Sequence, residues 1–177
     1  MPQLFIGNPW IFLTTNDLIN MEMKNYIIET FKYNDATNKK LLDKINLLND
    51  KKESVRLFSH LINCQFKWMA RLVQDPNAKQ MSWWDPVYDF NKLDEEWTKS
   101  LTPWIRYLTE KTDEELSTEI TFIGYDDSIW AATPIDIALQ LNYHSIHHRA
   151  QIQTLIRQQG IEPDFVDYIG TKYRKLS

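Results

Sequence analysis

The chain has 177 residues with 20 basic and 24 acidic side chains, a net charge of −4 with histidine neutral, and 43% hydrophobic residues. That length and apolar content fit a single domain with a real core. No basic stripe or tail is present, which argues against nucleic acid as a partner.

Residues 1–20 contain Pro2, Gly7 and Pro9 and show no helical period. They read as an N-terminal extension to a domain spanning 21–177, with Met21 or Met23 as an alternative natural start. The apolar stretch Leu4–Leu13 is broken by Gly7, Asn8 and Pro9 and lacks a leading charge. A signal peptide is therefore not expected, and no run reaches membrane-spanning length.

Residues 23–48 predict a first helix, since Tyr26, Ile27, Phe31, Leu41, Ile45 and Leu48 fall near 3.6-residue spacing. Asn34, Asp35 and Asn38 are weak helix formers in its middle and imply a kink or a local polar role. A second helix is expected over 53–74, stopped by Asp75-Pro76-Asn77. Residues 77–90 read as a loop anchored by Trp83, Trp84, Tyr88 and Phe90. A third helix should cover 92–110, with Asn91 as N-cap, acids at 94–96 in the first turn, and a kink near Pro103.

Thr112 to Glu115 fits a capping box for a short turn. Residues 118–123 and 128–132 predict a small hairpin around the Gly124–Asp127 turn. Thr133-Pro134-Ile135-Asp136 is a helix start, with a cap, a proline at N1 and an acid at N3. The last helix should run from 134 to 159 and end at Gly160, and the tail 161–177 should pack over the bundle. The fold class predicted is all-α, with a small β-hairpin before the last helix.

Cys64 is the only cysteine, so no intrachain disulfide can form, which suits a reducing, cytoplasmic setting. Aromatic residues make up 13%, with seven Trp and eight Tyr, rich enough that some rings should line a pocket or interface.

Three of the four histidines fall within His144-Ser-Ile-His147-His148. His144 and His148 are four apart and so share a helix face. Ile137, Leu141, His144, His148, Ile152 and Leu155 step by four, three, four, four and three, which is the core stripe of that helix. Two imidazoles are thus aimed inward, where an unpartnered polar group costs roughly 1–3 kcal/mol. His60 lies in the second helix beside Leu57, Leu61 and Cys64, near its apolar face. Ligands on facing helices of a bundle can converge on one ion. Three neutral imidazoles favour zinc, nickel, iron or cobalt over magnesium or calcium, and three protein ligands leave a position open. Spacing favours His148 and leaves His147 open.

The stretch from Asn142 through His144, His147, His148, Arg149 and Ala150 to Gln151, followed by Leu155 to Gly160, resembles the final helix of the DinB/YfiT-like family of metal-dependent enzymes. Residues 57–68, around His60, resemble that family's second helix, and Phe31 to Leu42 its opening helix. Ala150 departs from the usual glycine. The resemblance covers about residues 23–170. It implies an up-down-down-up four-helix bundle, a metal on His60, His144 and His148 rather than His147, and a homodimer.

It further implies a metal, zinc or nickel first and iron, cobalt or manganese after them, that activates a low-molecular-weight thiol or water for transfer to a small-molecule substrate. Characterised relatives include thiol-dependent S-transferases and isomerases, so thiol transfer leads and hydrolysis follows. A non-catalytic, stress-related protein that binds a metal or small ligand is the alternative. Asn142, Tyr143, Arg149 and Gln151 are candidates to orient the ligand rings. Cys64 reads as a small buried hydrophobe, with a fourth ligand as the alternative. Trp68, Trp83 and Trp84 read as packing residues or as the walls of a pocket mouth. No Ser-His-Asp order, phosphate loop or catalytic carboxylate pair is apparent.

Overall fold

The computed structural model describes residues 15–124 and 126–176, with side chains from residue 23 onward. It is mostly helical with one small hairpin. The elements are α1 (Thr15–Asn46), α2 (Lys52–Leu72), α3 (Leu93–Glu110), the short α4 (Asp113–Ser117), β1 (Ile120–Ile123), β2 (Ile129–Ala132) and α5 (Pro134–Gln158). Of the predicted extension, residues 1–14 lie outside the described residues. From Thr15 the backbone is already helical, so α1 begins before the periodic apolar pattern does.

The local stop and start signals behave as their chemistry dictates. Thr112 and Glu115 form the reciprocal capping box. The Thr133 side chain caps α5 by accepting from Asp136 N, with Pro134 in the first turn. Gly160 adopts φ +77° just past α5, the left-handed position that a side chain disfavours. β1 pairs antiparallel with β2, Ile120 opposite Ala132 and Ile123 opposite Ile129.

Asn91 is not the cap of α3. A 3₁₀ turn over Phe90–Lys92 runs straight into that helix, and Lys92 stands at the cap with no side-chain capping bond. The turn satisfies its own donors, since Lys92 N donates to Asp89 O and Leu93 N to Phe90 O. Pro103 lies inside α3, which continues through it.

Each of α1 and α2 packs against both α3 and α5. The shared core holds Ile27, Phe31 and Ile45 of α1, Phe58 and Ile62 of α2, Trp97, Trp104 and Leu108 of α3, and Ile137, Ile152 and Ile156 of α5. Phe31 stacks on Trp104 at 5.9 Å and Phe58 meets Trp97 edge-on at 5.6 Å. Such pairs add about 0.5–1.5 kcal/mol each beyond the area they bury. The indole N–H groups are also satisfied: Trp97 donates to Asp35 Oδ1 and Trp104 to Gln65 O.

The contact of α1 with α5 is polar. Arg149 is 2% exposed and donates to Asn34 Oδ1, Thr37 Oγ1, Asn38 Oδ1 and Tyr33 Oη at 2.8–3.1 Å. Asn34 Nδ2 donates to Asn142 Oδ1 and Asn38 Nδ2 to Ser145 Oγ. The weak helix formers of α1 therefore serve a buried polar network that fixes its register on α5, a place where polar groups must find partners. The tail returns over α1, where Tyr168 meets Tyr26 and Tyr33 edge-on and Lys44 pairs with Asp164.

Candidate metal centre

α2 and α5 face each other, and the 3.6-residue period sets His60 on one against His144 and His148 on the other. The ring centroids are 4.9 Å apart for His60–His144, 4.8 Å for His60–His148 and 4.4 Å for His144–His148. One nitrogen from each ring lies within 4.8 Å of the other two. His60 and His148 are buried and His144 is half-buried.

Polar side chains of α2 hold the following loop against this site. Asn63 Nδ2 donates to Pro86 O, Ser59 Oγ accepts from Tyr88 N, and Lys67 Nζ donates to Met81 O. These bonds bring Trp83 and Trp84 onto His60. Trp84 stacks flat on the imidazole at 3.7 Å, with the Arg56 guanidinium 4.4 Å from the indole ring.

The hydrogen bonds of the rings fix where their lone pairs point. His60 Nδ1 is 2.6 Å from the Trp83 carbonyl oxygen. A carbonyl can only accept, so Nδ1 carries the proton and Nε2 the lone pair. His148 Nδ1 is likewise 2.6 Å from Gln151 Oε1. Gln151 in turn donates from Nε2 to Nε2 of the exposed His147, 3.2 Å away. This is the outer arrangement that ligating histidines use, in which the second ring nitrogen donates to a carbonyl or similar acceptor.

His60 Nε2 and His144 Nε2 stand 2.9 Å apart. Two nitrogens on one tetrahedral zinc, each about 2.05 Å from it, would be roughly 3.3 Å apart. The pair needs to open by only a few tenths of an ångström to share an ion. Burial holds His144 and His148 down to pKa values of about 4, with neighbouring imidazoles adding to the effect at both, and it lowers His60 as well. All three rings are thus neutral at pH 7, the form that ligates a metal. The donor set, its protonation and its convergence fit a divalent transition metal.

Cys64 is buried, with Sγ 3.6 Å from His60 Nε2 and from His144 Nε2. It touches two of the rings but stands beside the compact donor set. Burial pushes its thiol up to about 12, so it is protonated at neutral pH.

Of the four residues expected to orient the ligands, only Gln151 touches one. Asn142 bonds Asn34 and Thr30, Arg149 bonds α1 alone, and Tyr143 is 64% exposed. Sequence reasoning missed the Trp83 carbonyl, a backbone atom whose role no side-chain pattern announces. It also missed Arg56 and Gln140. Gln140 joins Trp68, Trp83 and Trp84 in lining a cleft of about 230 Å³ that reaches His60, Cys64 and His144. The three tryptophans do wall a pocket beside the histidines.

A family-wide sequence model described as the DinB family matches residues 21–175. The chain belongs to the DinB family. Comparison of this DinB-family chain with curated proteins and with solved structures finds no match. Among its described residues no helix is long and apolar enough to cross a membrane.

Proposed function

We propose that this DinB-family chain is a metal-dependent enzyme in which His60, His144 and His148 hold one divalent transition metal, zinc or nickel before iron, cobalt or manganese. The observation that carries the reading is the convergence of three neutral ring nitrogens, two with their lone pairs set by Trp83 O and Gln151 Oε1, at the end of a cleft. The bound metal would supply Lewis-acid activation of a low-molecular-weight thiol or of water. Thiol transfer to a small-molecule substrate is the leading reaction, and hydrolysis is second. The chain's own residues orient the ligand rings, keep them neutral and wall the cleft with indoles. Three protein ligands leave a coordination position for the exogenous nucleophile.

The order of contacts supports an up-down-down-up bundle. Residue numbers rise together along α1 and α5 (34 with 142, 38 with 145) and along α2 and α3 (58 with 97, 65 with 104). They run oppositely between α1 and α3 (31 with 104, 35 with 97). The exposed Tyr143 and Ile146 of α5 suit a homodimer contact.

The test is metal analysis of untagged protein, followed by cobalt substitution and thiol titration. Near-stoichiometric metal and a new sulfur-to-cobalt charge-transfer band on adding thiol are expected. Failure to retain any metal refutes the site. A metal that cannot be removed without unfolding, and that ignores thiol and water analogues, would replace the enzyme with a binding protein.

A further inference from the structure

The histidines occupy only one end of the cleft system. A second cavity, of about 370 Å³, lies beyond the Trp68 and Trp83 side chains and is closed by Phe122, Gly124 and Trp130 of the hairpin. Trp68 and Trp83 line both cavities, so the two share a wall. Small-molecule pockets typically enclose about 300–1,000 Å³, which the pair together reaches.

Four of the seven residues that line the outer cavity are aromatic, and Arg71, Gly124 and Asp126 complete it. Trp68 lies 5.7 Å from Trp83 at 53° and 5.1 Å from Phe122 at 84°, so faces and edges alternate around it. The Arg71 guanidinium sits 4.8–5.1 Å from the centroids of Trp68, Trp83 and Phe122 and holds the three rings together. Trp130 stands directly across the hairpin from Phe122, on the same face, and is 56% exposed, a large apolar surface that the core does not use. Its indole N–H donates to Ser128 Oγ, and the ring lies so close over Gly124 that a Cβ there would clash with it. The indole N–H of Trp83, a residue that lines both cavities, is buried and has no partner among the described residues. Trp83 also bonds His60 through its carbonyl, so a ligand resting on this indole is one residue away from the metal ligand.

An aliphatic ligand would be served as well by leucine and valine. Alternating ring faces and edges are specific for another ring, through the quadrupole match that favours offset and edge-on stacking. A guanidinium among the rings adds attraction for a π face. We propose that the outer cavity binds a planar aromatic group, held against the rings of Trp68, Phe122 and Trp130. Assigning that group to the substrate of the metal centre rests on the function proposed above; the binding itself does not.

The test uses 2-naphthol as the probe and cyclohexanol as the non-aromatic control, followed by calorimetry on the full chain, metal-loaded and chelator-stripped. Saturable naphthol binding in both forms, at least tenfold weaker for cyclohexanol, is expected. Trp130→Ala, a change at an exposed side chain, should weaken naphthol at least tenfold, and Gly124→Val should do the same by displacing the indole. Both variants should keep the parent metal content. Naphthol binding by a protein that takes up no metal would support the cavity while sinking the metal reading. No saturable binding, equal binding of cyclohexanol, or unchanged affinity in Trp130→Ala would overturn the proposal.

Discussion

Gln151 is the sharpest point at which to perturb the proposed metal centre without touching a proposed ligand. Its Oε1 accepts from His148 Nδ1 at 2.6 Å and so keeps the lone pair of that ring on Nε2. In Gln151→Ala the acceptor is gone, and His148 is free to rotate or to move its proton to the ligating nitrogen. Loss of such an outer partner typically costs 10–100-fold in metal affinity, or about 1.4–2.7 kcal/mol. Gln151 is exposed, so water can replace the lost acceptor and the loss should sit near tenfold. Gln151→Glu keeps an acceptor and adds charge, so it should bind at least as tightly as the parent. The assay is zinc competition against a chromophoric chelator at pH 7, with circular dichroism to show that the fold is intact. Parent-like affinity in Gln151→Ala, or weaker binding in Gln151→Glu than in Gln151→Ala, would refute the tautomer argument.

Four further outcomes follow from the structure. His147→Ala should retain the metal, because His147 is exposed and bonds only Gln151, whereas His148→Ala should lose it; the reverse pattern would reassign the ligand. Cys64→Ser should also keep the metal, and loss of occupancy there would make the thiol a ligand. Arg149→Met leaves four acceptors on α1, three of them buried, without their donor and should cost at least about 1–3 kcal/mol, a fall of roughly 2–12 °C in Tm, so a loss under about 1 kcal/mol would contradict the network. For the metal-free protein, burial holds His144 and His148 at about 4 against an ordinary 6.5. The unfolded chain then takes up protons first as pH falls, so these rings should leave stability flat from about pH 7 to 8 and lower it as pH falls from 6.5 to about 4. Denaturant titrations across that range would show it, and stability rising with acid would contradict it.

The sequence by itself determined what depends on near neighbours. The capping box at Thr112–Glu115, the proline start at Thr133–Asp136 and the glycine stop at Gly160 are each settled within about four residues, because caps and left-handed turns are local. The shared inward face of His144 and His148 followed from helical period alone. Asn91 misled because the 3₁₀ turn leading into α3 satisfies its own backbone through Asp89. Only the tertiary structure decided what lies across from these elements. His60 meets His144 at a sequence separation of 84, and Arg149 finds its acceptors more than 110 residues away on α1. The Trp83 carbonyl that sets the proton on His60 arrives only because Asn63, Ser59 and Lys67 fasten the loop to α2. Such contacts come from the docking of whole helices, whose order and register no local pattern encodes. The histidine pair was therefore legible in the chain, while the cleft beside the pair was made by packing.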